Sequence, residues 1–326
     1  MQISYAFFIL SIAVILCVTR CAPQLVQTPM PTPISTPNPS ATPAAIFSLD
    51  TIKGSFRNQI SYLEDNMPRA NSEGYVVPAD QEQADFAELA VSLVGANDLA
   101  HANQLAVKNN YSLTYYLDRG DDNSVNYLLR ENKPIQKGWG LYVFRVDSTS
   151  NIIIEAPHPL YDRRTPSVAL NIYRALDARA LLIAGAHRNA NSDGSADMAH
   201  TTESIFQSVH EALSQEIQVA SGNVIILQIH GFHTSKHAGY PQAVFGFGEK
   251  IQPAEFALAQ KLGDALSEQG INVGLCTGDV WQDLCGTTNA QASTMNGGMF
   301  IHIELDEDLR KGDDALIAAL VQVFGR

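Results

Sequence analysis

Four side chains in this 326-residue sequence have the types and spacing that metal-assisted hydrolysis needs. They are His158 and Asp162 in APHPLYDRRT, His230 in QIHGFH and Glu304 in MFIHIELDEDLR. A zinc ion in a hydrolase takes about three protein ligands, imidazole nitrogen or carboxylate oxygen, and keeps one position open for water or substrate. His158 and Asp162 lie four residues apart on a loop after an apolar run, close enough to grip one ion. His230 leaves the strongest apolar run of the chain, and Gly231 behind it allows close approach to the backbone. Glu304 falls in a run expected to be buried, where a carboxylate is costly unless paired or functional. It suits a base that takes a proton from water. Zinc is thus the expected cofactor, held by His158, Asp162 and His230, with Glu304 as the catalytic base.

Those residues need elements to carry them. From Gly138 onward, short apolar runs alternate with amphipathic segments. LYVFRV, IIIEAPH, LLIAGAH, VIILQIHG, INVGLC and MFIHIEL read as strands. TPSVALNIYRALDARA, TTESIFQSVHEALSQ, PAEFALAQKLGDALSEQG and DDALIAALVQVF read as helices. The strongly apolar run of VIILQIHG suits a sheet covered on both faces. The alternation implies an α/β domain with a mixed, largely parallel sheet between helices. His158, His187, His230 and Glu304 then fall at or beyond the carboxyl ends of strands, the edge where open α/β sheets gather ligands. By alternation His302 shares a face with Glu304, which makes it a neighbour of the base. His233, in the polar loop after the key strand, reads as a rim or substrate contact.

Residues 48–137 read as a mostly helical, polar region. DQEQADFAELAVSLVGA has helical spacing, and NNYSLTYYLDRG reads as a helix stopped by glycine. Before it, residues 22–47 are rich in Pro, Thr and Ser, the composition of a disordered tether. Residues 1–21 hold an apolar run of signal-peptide length that ends at Cys21. The expectation is export, to the cell envelope or the medium. Leader, cysteine and tether resemble a bacterial lipoprotein, although Arg20 stands where a small residue is usual. Attachment through a lipidated Cys21, an uncleaved N-terminal anchor and simple secretion are the three outcomes. Cys276 and Cys285 form either a disulfide, as an exported protein permits, or a pair of buried thiols. A net charge of -13 repels phosphate backbones, so nucleic acid is not an expected partner.

Three ordered landmarks carry a family resemblance. Pro157-His158, Asp162 and Thr165 follow one strand, Ile229-His230-Gly231 ends another, and Gly297-Gly298 lead to Glu304-Leu305 and Leu309-Arg310. Residues 152–310 resemble the zinc hydrolases related to carboxypeptidases, closest to the phage-type poly-γ-glutamate hydrolases, with N-formylglutamate amidohydrolases as more distant relatives. Asp162 stands where Glu is commoner, and Pro159-Leu160 replace the usual glycines. The resemblance implies a three-layer α/β/α domain over residues 138–326, of the zinc carboxypeptidase or phosphorylase/hydrolase kind. It implies hydrolysis of an amide or peptide bond in a peptide-like or N-acyl amino acid substrate. Arg188 is then the candidate for stabilising an oxyanion, and Arg310 for binding a substrate carboxylate or orienting Glu304. Asn289 matches the asparagine that helps to hold a substrate carboxylate. The rivals are a surface-tethered binding protein on the same fold and a metal-dependent esterase or phosphatase. No HExxH, GxSxG, P-loop or GxGxxG motif supports another chemistry.

Overall fold

The computed structural model describes residues 47–121, 124–278 and 280–325. Cys21, the leader and all of the tether but its last residue lie outside the described residues. In chain order the strands are β1 (Thr51–Gly54), β2 (Tyr111–Asp118), β3 (Ser124–Glu131), β4 (Leu141–Arg145), β5 (Ile152–Ala156), β6 (Ala180–Ile183), β7 (Ile225–Gly231), β8 (Ala243–Gly246), β9 (Val273–Leu275) and β10 (Met299–Leu305). The helices are α1 (Phe56–Asn66), α2 (Asp80–Val94), α3 (Leu99–Lys108), α4 (Thr165–Ala175), α5 (Ile205–Ser221), α6 (Pro253–Glu268), α7 (Ala290–Thr294), α8 (Glu307–Lys311) and α9 (Asp314–Phe324).

All ten strands join one mixed sheet in the order β1-β2-β3-β4-β6-β5-β7-β10-β8-β9. Its centre, β6-β5-β7-β10, is parallel. The β2-β3-β4 meander runs on antiparallel from β6, and β8 lies antiparallel to β10. Strand alternation divides the core in two. Ile152, Ile154 and Ala156 face one apolar layer with residues of α1, α4, α6 and α9, and Ile153 faces the other with α2, α3 and α5. This is a three-layer α/β/α fold, as the alternating pattern implied. Helix α5 is delimited by its sequence: the Ser204 hydroxyl accepts from the Gln207 N–H at its start, and Gly222 ends it at φ 74°. Among the described residues no helix is long and apolar enough to cross a membrane.

The N-terminal region departs from its expected helical character. Residues DQEQADFAELAVSLV do form α2, but YSLTYYLD is strand β2, paired with β1 on one side and β3 on the other. Asn110, at φ 64°, breaks the chain out of α3. Beyond it a period of two takes over: Tyr111 and Leu113 enter one core layer and Tyr116 the other. A dense aromatic and β-branched run fits a pleated surface better than a helix. Gly120 lies in the β2–β3 turn and stops no helix. The boundary drawn at residue 138 therefore falls inside one continuous sheet, because β3 pairs with β4.

A buried ion pair ties this region to the part of the domain that follows residue 138. The Asp118 carboxylate, at the end of β2, accepts from Arg174 Nε at 2.9 Å and Nη2 at 2.6 Å on α4. Its other oxygen accepts the Phe56 N–H at the first turn of α1. Asp118 is fully buried, so removing its cation leaves an uncompensated charge. Arg174→Leu should cost about 3 kcal/mol of stability, seen as a lower urea midpoint at unchanged slope. An unchanged midpoint would mean that residues 48–137 are not integral to the domain.

Candidate metal centre

The chain order reverses at β5. From β5 it crosses by α4 on one face to β6, then by α5 on the other face to β7 on the far side of β5. Such a switch opens a crevice beyond the carboxyl ends of the strands. His158 stands two residues past β5. A tight turn follows, with the Asp162 N–H bonded to the His158 carbonyl at 2.9 Å, and it brings Asp162 back beside His158. His230 is the penultimate residue of β7. Glu304 of β10 is its register partner, so parallel pairing alone sets the two side by side on one face.

The structure brings His158, Asp162 and His230 together. Asp162 Oδ2 lies 3.2 Å from Nδ1 of both histidines. The far ring nitrogens are occupied: His158 Nε2 is 2.8 Å from Asp197 Oδ1, and His230 Nε2 is 2.8 Å from Gln228 Oε1. Both partners are acceptors, so both Nε2 atoms carry a proton, and in the neutral rings both Nδ1 atoms present lone pairs. Three acceptors then face one another in a space where all three residues are buried. Lone pairs in that arrangement repel unless a cation lies among them, either a proton on His158 Nδ1 or a metal ion. Two imidazole nitrogens and a carboxylate oxygen, each imidazole braced from behind, are the donor set that a hydrolytic zinc takes. These residues fit the ion that the sequence resemblance implies.

The electrostatics show that the pocket favours positive charge beside Asp162. Burial disfavours the His158 cation, but the Asp162 and Asp197 carboxylates outweigh it and raise its pKa above the ordinary value. Burial and then the neighbouring His302 and His158 push His230 well below it. Burial opposes ionisation of Asp162 and Asp197, yet their imidazole partners hold both below the usual carboxylate range. Glu304 goes the other way, raised by burial against the pull of His302. His302 Nε2 lies 3.3 Å from Glu304 Oε1, and its ring stacks on His230 with centroids 4.1 Å apart. Glu304 Oε2 is buried and has no hydrogen-bond partner among the described residues. It is an acceptor held without a proton donor.

These groups open on a cleft of about 760 Å³. Arg188 and His233 also line it. Arg188 donates to Asp197 Oδ2 and lies over the Tyr161 ring, and His233 is exposed and paired with Glu307 at 2.5 Å. Arg310 lines the cleft but does not bond Glu304. Its Nε, Nη1 and Nη2 donate to the carbonyls of Asp306, Arg163 and Phe232, so it ties three cleft segments together. Gly231 gives Arg310 its room, since a Cβ there would lie 2.5 Å from the guanidinium. Asn289 is not at the cleft. Its Oδ1 accepts from Ala292 N–H and its Nδ2 donates to Gln228, so both ends of the amide are engaged inside the fold. Cys276 and Cys285 form a disulfide, with Cα atoms 5.6 Å apart, at the base of the loop that brings Asp283 and Leu284 to the cleft wall.

Two braces escaped the sequence analysis. Gln228 had a signal, a polar residue inside the apolar run VIILQIHG. Asp197, on the loop between β6 and α5, had none.

No family model and no curated protein matches the chain. Among solved structures, N-formylglutamate amidohydrolase from Ralstonia eutropha JMP134 aligns at TM-score 0.38 and 12% identity, over 55% of this chain and 93% of its own. A bacteriophage poly-γ-glutamate hydrolase aligns at 0.36 and 13%, over 54% and 82%. An aspartoacylase family protein from Mesorhizobium loti aligns at 0.41 and 13%, over 65% and 70%. The two families that the sequence resembles are both present. At these scores the likenesses assign no activity, and the reading of the site rests on its own geometry.

Wild-type protein should take up about one zinc per chain. His230→Ala should weaken binding by at least about 100-fold in competition with a chromophoric chelator. Equal affinity in the variant would remove His230 from the ligand set.

Proposed function

We propose that this chain is a zinc-dependent hydrolase of an amide or peptide bond, acting outside the cytoplasm. The observation that carries the reading is the meeting of three buried acceptors beside a carboxylate oxygen that has no hydrogen-bond partner among the described residues. His158, Asp162 and His230 would hold the ion. When bound, zinc supplies Lewis acidity toward the scissile carbonyl and toward water. Glu304 does the proton work: its unpartnered Oε2 takes a proton from the attacking water and returns it to the leaving nitrogen. Raising its pKa by burial brings the carboxylate closer to the operating pH. Arg188, on the cleft wall, is the cation for the charge that develops on the carbonyl oxygen.

The substrate is a peptide-like or N-acyl amino acid molecule that carries carboxylates. Arg163, Arg164 and Lys236 are exposed at the cleft and form no ion pair among the described residues. On a chain of net charge -13, cations gathered at the mouth of one cleft draw an acidic ligand. The disulfide supports an oxidising compartment. Cys21 would be the point of lipid attachment if the leader is of the lipoprotein kind.

Peptides, γ-glutamyl polymers and N-acyl amino acids, offered to the zinc-loaded protein, test the activity. Zinc binding without turnover on any of them would favour the binding protein, and turnover of esters or phosphates alone the other chemistry. Glu304→Gln should keep the metal and lose about 10²–10⁴ in kcat. The base works only when ionised, so activity should fall as pH drops through its raised pKa. The acid limb of kcat/KM should therefore lie above the ordinary carboxylate value of 4.5. A fully active Glu304→Gln ends the mechanism. Lys236→Glu should raise KM for acidic substrates and leave kcat near wild type; an unchanged KM would remove the rim from recognition.

A further inference from the structure

The face of the sheet beneath the cleft is polar where its neighbours are apolar. Glu155 of β5, Gln228 of β7 and Gln291 of α7 are fully buried, with Gln207 and Asn289 nearly so. Glu155 and Gln228 are register partners on adjacent strands. Every one of these side chains is hydrogen-bonded, and together they end on His230.

The sense of each bond can be worked out from fixed ends. A backbone N–H only donates, so Ala292 N–H, 3.0 Å from Asn289 Oδ1, turns the Asn289 Nδ2 toward Gln228. That nitrogen donates at 2.6 Å, which makes the Gln228 atom facing it the oxygen. A backbone carbonyl only accepts, so Met198 O, 2.8 Å from Gln291 Nε2, turns Gln291 Oε1 toward Gln228. Gln228 Nε2 donates to that oxygen at 3.0 Å and to the Glu155 carboxylate at 2.8 Å. Two independent ends, on different segments, thus agree on the orientation of one amide. Its oxygen lies 2.8 Å from His230 Nε2 and can only accept there.

We propose that Gln228 is a positioning residue whose amide oxygen holds His230 as the Nε2–H tautomer and so aims a bare Nδ1 at His158 and Asp162. The inference rests on the proposed reading of His230 as a metal ligand. The other tautomer would present an N–H to the ion and exclude it until the proton moved. Asp197 does the same for His158 with a carboxylate, on the side where Arg188 balances its charge. On the His230 side the brace backs onto Glu155, and a neutral amide there places no second carboxylate against the first.

Imidazole ¹⁵N NMR of the histidine-labelled wild type, metal-free and with zinc, reads the tautomer directly. His230 should be protonated on Nε2 in both states. Gln228→Leu should lose that preference in the metal-free protein and bind zinc about 10–100-fold more weakly, with urea unfolding of the metal-free variant measured alongside. Lower stability with unchanged zinc affinity would make Gln228 merely structural and overturn the proposal. A metal-free wild type with His230 protonated on Nδ1 overturns it without any variant. A wild type that takes up no zinc, yet carries the Nε2–H tautomer, leaves the role of Gln228 standing and defeats the metal reading alone.

Discussion

Three lone pairs pointed into one buried space are the constraint on which the rest of this structure depends. Asp162 Oδ2 and the Nδ1 atoms of His158 and His230 crowd together at 3.2 Å, while acceptors occupy the far side of each ring. With both rings neutral such a cluster is unfavourable, and a cation among them, a proton on His158 or a metal ion, relieves it. The surroundings are built to keep it from relaxing. Asp197 and Gln228 prevent the rings from flipping their protons, and His302 stacks against His230 so that the ring cannot turn away.

The fold places these groups with few free parameters. A reversal of strand order at β5 opens the crevice, and the parallel register of β7 with β10 puts His230 beside Glu304. Two residues back along the same strands, Gln228 faces His302, and Glu155 completes the row on β5. One face of three adjacent strands has thus exchanged apolar packing for a hydrogen-bonded layer, while the opposite face keeps Ile154, Leu227, Ile229, Ile301 and Ile303. The satisfied polar layer sacrifices hydrophobic burial for orientation, a trade found where side chains must hold one geometry. Farther out, Arg310 gathers three carbonyls from separate cleft segments, and the Cys276–Cys285 bridge anchors the wall that bears Asp283.

Much of the centre was legible because strand periodicity is strict. Once IIIEA, VIILQIHG and MFIHIEL were read as strands, alternation put His302 with Glu304 and left His158 and His230 at one edge. Residues acting through contacts of long sequence separation were hidden. Asp197 reaches His158 across 39 positions from an irregular loop, and no local pattern marks it. Asn289 was assigned to substrate from a matching residue type, but the helix start that it caps and the Gln228 oxygen claim its amide. Arg310 was expected to bind a substrate carboxylate or to orient Glu304, whereas the carbonyls of Asp306, Arg163 and Phe232 take its nitrogens. The β2 strand was missed because YSLTYYLD has apolar residues compatible with either period, and the β1 and β3 partners that decide the matter lie far off in the chain.

The most direct test is anomalous diffraction at the zinc edge from crystals of the zinc-loaded protein. A single strong peak should lie among His158 Nδ1, His230 Nδ1 and Asp162 Oδ2, with Glu304 beside it. A peak elsewhere, or coordination through the Nε2 atoms, would contradict the account.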